Sequence, residues 1–378
     1  MRIAILGAGP AGLYLAYLIK RREPRADLRV IEQNPAGATF GFGVVFSDRA
    51  LEFLREDDGE TYAAITPQME SWNDMTLNLR GQRVVIDGIG FAAIGRLHLL
   101  QILQARAASV GVAPIYGRAV TDLAELDDFD LVVGADGVNS LVRRTYAAEL
   151  GASVGALDNR FAWFGVDKPF DTLTQTFIET EHGALNAHHY RYTPARSTFI
   201  IEMQAGTFQR MGFAAMDERG SADICARLFA ETLDGRPLIR NNSIWRQFPL
   251  VHNARWSHRK YVLLGDALHT AHFSIGSGTR LAMEDAIALD KALAGHHTGI
   301  LPALAAYEAA RRPVLEKLVA GANGSAAWYE HFTDHMKLAP VDFAMSYIMR
   351  SGRVDLDRLR RLSPRFVSRY ERERAFPA

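Results

Sequence analysis

The sequence predicts an α/β protein whose parallel sheet is assembled from three separated stretches, with an inserted β-sheet region and helices towards the C-terminal end. Three observations predict it. The chain opens with an apolar strand at about 2–6, a helix at about 11–22 and a second strand at 28–32. Two more apolar strands, 129–133 and 261–264, each run into a Gly/Asp turn far downstream. The stretches at about 71–94 and 156–254 are mostly extended, with β-formers as at 197–202 and one helix near 219–232. A strand–helix–strand order implies parallel strands joined by a right-handed crossover.

The intervening elements follow from spacing. Leu99, Leu100, Leu103 and Ala107 fall at helical intervals and predict a helix over about 96–110, followed by a short strand near 113–116. Helical signal dominates from about 279, and the last 50 residues alternate arginines with apolar positions, as surface-packed helices do. These pieces suggest a discontinuous domain over 1–70, 95–155 and 255–320. A second domain would comprise 71–94 and 156–254, and 321–378 a C-terminal helical segment.

Composition narrows the function. Length 378, 48% hydrophobic and 23% charged residues describe an ordinary globular chain with room for two interleaved domains. A formal net charge of zero gives no global field towards nucleic acid or an anionic membrane. The single cysteine, Cys225, excludes an intramolecular disulfide or a multi-cysteine metal site and is expected as an apolar helix filler. No metal site is predicted. The first residues enter a strand directly rather than a signal peptide, and no run approaches the roughly 20 apolar residues of a membrane span. The expected location is cytoplasmic.

Three motifs carry chemistry. In Gly7-Ala8-Gly9-Pro10-Ala11-Gly12 the glycines allow a tight turn, close approach to a pyrophosphate and close helix–strand packing. Glu32 ends the next strand, where a carboxylate takes ribose hydroxyls. This combination predicts a Rossmann-like site for an adenosine with a free 2′-hydroxyl. The second motif, residues 130–140, is a strand, an Asp136-Gly137 turn and a helix start with Ser140 as cap. The third is Gly265-Asp266, continuing through His272, Phe273, Gly276, Gly278 and Thr279 to Glu284-Asp285. Asp266 follows a buried strand, where it can accept a hydroxyl, and amides at the following helix start can face an anionic group.

These motifs, in this order, resemble the group A flavin monooxygenases of the p-hydroxybenzoate hydroxylase fold over essentially the whole chain. The resemblance implies a split Rossmann-like FAD-binding domain with an inserted β-sheet substrate domain. It implies non-covalent FAD contacted by Gly7, Gly9, Pro10, Ala11, Gly12, Glu32, Gly43, Arg96, Asp266, Gly276, Gly278 and Thr279. Arg96 is otherwise an ordinary charge at a helix start. The implied reaction uses NADH to reduce FAD and O2 to form a flavin C4a-hydroperoxide, which hydroxylates an electron-rich ring.

Where that family usually has prolines after Gly-Asp and an Asn after the last glycine, this chain has His272-Phe273 and Thr279-Arg280. With residues 40–48, this segment is similar to a subgroup of salicyloyl-CoA 5-hydroxylases, 2-aminobenzoyl-CoA monooxygenases and the violacein-pathway hydroxylase. The implied substrate is a small aromatic group, salicyloyl-CoA or a similar aryl-CoA thioester, seated among Phe42, Val44, Phe46, Ser47, His188, Tyr190 and Phe273. His272 is the expected catalytic candidate. An indole hydroxylase, a flavin-dependent reductase and a non-catalytic FAD-binding module remain open at this stage, as do NADPH use and the oligomeric state.

Overall fold

A computed structural model describes residues 1–39, 41–47, 50–295 and 299–375. Its parallel sheet runs Tyr261–Leu263, Leu131–Gly134, Arg2–Leu6, Asp27–Ile31, with Ser257–His258 added antiparallel at one edge. Sequence-distant strands thus lie side by side, and Arg2–Leu6 is buried between two neighbours, which is why it is apolar throughout. The helix Pro10–Arg22 opens with proline in its first turn and buries Leu13, Leu15 and Ile19. The expected strand near 113–116 is reduced to one bridge, between Ile115 and Ile31.

The second layer is a six-stranded sheet in the order Arg160–Val166, Ser197–Met203, Gly183–Arg191, Leu173–Thr180, Met75–Leu79, Gln82–Ile86. Its strands have two buried faces. One carries Phe164, Leu185, Phe199 and Ile201 against Cys225 and Phe229, so Cys225 is a buried filler on the helix Glu218–Leu228. A three-stranded sheet (Gly43–Ser47, Phe91–Gly95, Glu70–Trp72) sits between the two larger ones. Gly43 donates its N–H to Thr198 Oγ1 at 2.8 Å and accepts from Tyr190 Oη at 3.0 Å, which joins this sheet to the six-stranded one.

The C-terminal helices depart from the expectation of surface packing. Phe332, Phe343 and Tyr347 are almost wholly buried in a core shared with Leu77, Ile86 and Phe177 of the six-stranded sheet. Phe343 meets Phe177 edge-on, with centroids 4.8 Å apart at 84°. Most arginines from 353 to 374 mark the outer side of this layer, whereas Arg350 reaches inward to Ser325 and Ser274. No helix among the described residues is long and apolar enough to cross a membrane.

Candidate active site

A cavity of about 780 Å³ runs from the tips of the parallel strands to the six-stranded sheet. Gly7, Gly9, Pro10, Ala11 and Glu32 line its first part. Gly7 has φ +99°, and a Cβ there would lie 2.3 Å from the Ala135 carbonyl oxygen. A Cβ at Gly12 would lie 2.0 Å from the Gly7 carbonyl oxygen, so Gly12 serves close packing beneath the cavity and does not line it. Gly9 faces open space and caps its helix with no side chain, leaving first-turn amides free for an anion. The Glu32 carboxylate accepts from Ala8 N at 2.8 Å, Asn34 N at 2.8 Å and Asn34 Nδ2 at 2.7 Å. It therefore shapes the glycine turn as well as offering remaining lone pairs to the cavity.

Asp136 and Asp266 line the middle. Asp136 Oδ2 accepts from Leu141 N at 2.7 Å, while Oδ1 is buried with no hydrogen-bond partner among the described residues. Ser140 caps the next helix by accepting from Arg143 N, as its position predicts. Asp266 is open to the cavity but surrounded by protein, and this desolvation raises its carboxyl pKa despite attraction from His269 and Arg96. Arg96 is conversely lowered by burial, with Asp266 opposing. The turn bearing Asp266 is anchored by Asp285, which accepts from Gly265 N at 3.1 Å, bonds His269 Nε2 at 2.7 Å and accepts from Arg311 Nε at 2.8 Å. Burial would raise Asp285, but His269 and Arg311 hold it below the ordinary carboxylate range. Gly276, Gly278 and Thr279 complete this wall.

These features fit FAD. The free helix amides suit a pyrophosphate, and the orphan Asp136 oxygen and the unpaired face of Asp266 suit hydroxyl donors. The elongated cavity has the volume class of a small-molecule site.

The far part is built on the second face of the six-stranded sheet. Alternation of side chains sends Trp163, Gln175, His188, Tyr190 and Ile200 to the cavity, and His189 to the opposite side against Phe170 and Phe199. Val44 and Phe273 also line it. Other expected substrate residues lie elsewhere. Phe46 is buried in the core beneath the strand, and Phe42 packs its ring on Gly165. Neither Ser47 nor Gly43 borders the cavity, and Phe40 and Asp48 fall outside the described residues. His272 does not border it either. Its Nδ1 caps the turn Phe273–Ile275 by accepting from Ser274 N, and burial lowers its pKa to about 4.

Sequence reasoning passed over Trp163, Gln175, Glu202 and Tyr347. Tyr347 lines the cavity from the helix Pro340–Met349, and Glu202 stands behind His188 at 3.0 Å. The period-2 pattern could have assigned Trp163 and Glu202 to this face once the sheet order was known.

Comparison with known proteins agrees with this geometry. The FAD binding domain family matches residues 128–322. Salicyloyl-CoA 5-hydroxylase of Streptomyces sp is 41% identical over 93% of this chain and 70% of its own length. The 3-hydroxy-4-methyl-anthranilyl-[aryl-carrier protein] 5-monooxygenase of Streptosporangium sibiricum is 36% identical over 88% of this chain and 90% of its own. A 2-methyl-3-hydroxypyridine-5-carboxylic acid oxygenase shares the fold, with a TM-score of 0.70 at 18% identity over 96% of each chain. A glycine turn, a wall bearing the cavity-facing Asp266 and a second-sheet pocket in one cavity, with these relatives, place the chain in the FAD-dependent aromatic-ring monooxygenase family.

Proposed function

We propose that this enzyme hydroxylates an aromatic ring presented as an acyl thioester, salicyloyl-CoA or a similar aryl-CoA, with NADH as reductant and O2 as oxidant. One observation carries the reading. On the sheet side the cavity is walled by Leu173, Gln175, His188, Tyr190 and Ile200, with no lysine or arginine among them. Of the cavity's arginines, Arg96 is drawn to the Asp266 carboxylate and Arg118 pairs with Glu125. A free benzoate against this wall would therefore find no arginine on it for its desolvated carboxylate, whereas a thioester carbonyl is neutral and needs only a donor. Arg246 supports the same reading. It borders the cavity, is exposed, and makes no ion pair among the described residues, so a phosphate-bearing arm leaving the ring would pass a free cation. The names of two relatives likewise give an aromatic acyl group on a carrier.

Bound FAD supplies the redox and oxygen-transfer chemistry. The chain supplies the rest: Gly9 and Asp266 hold the cofactor, the second sheet orients the ring, and the C-terminal aromatics exclude water. The test is NADH oxidation with matched O2 uptake by the holoenzyme, offered salicyloyl-CoA, 2-aminobenzoyl-CoA, the free acids and a tryptophan-derived indole. Coupled turnover with a thioester, giving the 5-hydroxy product, is expected. Added salt should raise KM more than it lowers kcat, because the arm's phosphates meet an exposed charge. Equal efficiency with free salicylate or anthranilate, or acceptance of the indole only, overturns the thioester assignment and leaves the aromatic hydroxylase intact.

A further inference from the structure

Behind the ring pocket lies a buried acid–imidazole pair. His188 and Glu202 project from neighbouring antiparallel strands onto the same face, with Nε2 to Oε2 at 3.0 Å. They are 4% and 1% exposed. The other Glu202 oxygen accepts from Asn159 Nδ2 at 2.9 Å. Tyr329, from the long helix Ile300–Glu330, stacks on the imidazole at 4.8 Å, and Phe273 meets it edge-on at 5.3 Å. The ring is therefore fixed in position, and it borders the cavity. Its second nitrogen, Nδ1, has no hydrogen-bond partner among the described residues.

The tautomer follows from these contacts. Burial, aided by the nearby Arg350, lowers His188 to about 3, so the imidazole is neutral and carries one N–H. Burial pushes the Glu202 carboxyl up, but His272 and the Asn159 bond oppose this. With Asn159 donating to one oxygen, Glu202 acts as an acceptor, and the single imidazole N–H is directed to it from Nε2. That leaves the Nδ1 lone pair for the cavity. The charged and titratable groups around the ring are Glu202 on the adjacent strand, Tyr329 on the long helix, Arg350 after the helix Pro340–Met349, and His272 in the preceding loop.

We propose that His188 is the catalytic residue that accepts the proton of the substrate's ring hydroxyl, and that Glu202 is the positioning residue that keeps it an acceptor. The assignment rests on the aromatic thioester reading above. The substrate O–H bond breaks, its electron pair stays on oxygen, and a new N–H bond forms at Nδ1. The resulting imidazolium is paired with the Glu202 carboxylate on one side and with the phenolate it has just formed on the other, an anion that arrives only with substrate; without it, burial keeps the imidazole neutral. The phenolate oxygen releases electron density to the ring carbon para to it, where oxygen is delivered. An amino substituent would be oriented by the same lone pair without transfer.

The holoenzyme tests this through ultraviolet difference spectra of bound salicyloyl-CoA and its O-methyl ether between pH 5.5 and 9, with flavin-band perturbation reporting binding. In the wild-type protein the bound phenol should ionise at least about one pKa unit below the free thioester, and the ether should show no such step. Glu202→Gln can keep Asn159 on its carbonyl oxygen, but its amide N–H then faces Nε2 and moves the ring hydrogen to Nδ1. The shift should vanish. Hydroxylation at pH 7 should fall at least about tenfold and recover above the free phenol pKa, with KM changed less than about threefold. An unshifted phenol in the wild-type protein overturns the assignment whether or not the variant folds. So does a shift that survives Glu202→Gln. No flavin perturbation by salicyloyl-CoA overturns the thioester reading and the assignment with it.

Discussion

Replacing Glu32 with Gln changes one atom of a carboxylate that accepts three hydrogen bonds. Oε1 receives both donors of Asn34, at 2.8 and 2.7 Å, and Oε2 receives Ala8 N at 2.8 Å. The Gln carbonyl would stay with Asn34, where two donors reward it. Its NH2 would then face the Ala8 N–H, donor against donor, in the turn between Gly7 and Gly9 that lines the cavity. A hydrogen bond to a charged group contributes about 1.5–3 kcal/mol, and each 1.4 kcal/mol is about tenfold in affinity. FAD should therefore bind the variant apoprotein about 10- to 100-fold more weakly. Flavin fluorescence quenching during titration of apoprotein measures this directly. Single-turnover hydroxylation at saturating FAD should change far less, because Glu32 lines the glycine-turn end of the cavity, away from the ring pocket. An unchanged FAD dissociation constant would refute the reasoning, most clearly if hydroxylation collapsed instead.

Other consequences are open to measurement. FAD should be non-covalent, since among the described residues no cysteine lines the cavity and the one lining histidine, His188, bonds Glu202 through Nε2; acid precipitation should leave no yellow colour on the pellet. Phe343→Ala empties a fully buried ring site against Phe177 and should lower unfolding stability by about 3–5 kcal/mol; a urea midpoint within error of wild type would contradict that packing. Acid should destabilise the fold. Burial lowers His272 to about 4, His188 to about 3, and His189 well below its ordinary value. Below the unfolded value of about 6.5 the unfolded chain binds protons that these folded histidines refuse. Their contribution is complete above that pH and is lost as pH falls towards the folded values. Asp136, Glu202, Asp266 and Glu330, all raised by burial, work in the opposite direction from about pH 4 upward. The unfolded histidine value of about 6.5 lies inside the range from pH 7.5 to 5.5 and the unfolded carboxyl values lie below it, so urea midpoints should fall across that range, and a flat profile would count against the histidines' burial as neutral groups.

The cofactor half of the site was legible because its determinants are local. Glycines at 7, 9 and 12 and the carboxylate of Glu32 need only one strand–helix–strand unit to be placed, and Asp266 needs one strand and turn. The ring pocket depends instead on pairing between distant segments. In the strand Gly183–Arg191 nearly every residue is buried on one face or the other, so no alternation of polar and apolar marks which side faces a cavity. His188 and His189 look equivalent in sequence, and only the sheet's other face, filled by Phe170 and Phe199, separates them. The resemblance of residues 40–48 implies Phe42 and Phe46 as pocket residues, yet Phe46 fills the core and Phe42 fills the space left by Gly165.

The C-terminal helices show why this division has functional weight. Their arginines suggested an outer coat, but Trp328, Tyr329, Phe343 and Tyr347 form a continuous aromatic layer over the sheet, joined by the Tyr329–Tyr347 hydroxyl contact at 3.2 Å. Arg350 stands over the Tyr347 ring, 3.7 Å from its centroid, and donates to the Ser274 carbonyl oxygen at 3.0 Å. It thereby ties this layer to the loop that carries His272 and Phe273. Ring orientation and the surroundings of His188 thus depend on three chain segments more than 50 residues apart, whereas the cofactor turn depends on one. Changes in residues 321–375 can therefore alter which ring fits without touching the glycine turn. Tyr347→Phe provides the test: it removes the hydroxyl that meets Tyr329 and leaves the ring beneath Arg350. FAD affinity should stay within about twofold of wild type while KM for the aromatic substrate rises, because the change lies on the ring side of the cavity and leaves the Glu32 side untouched. A loss of FAD affinity with KM unchanged would mean that the two ends of the cavity are not separable in this way.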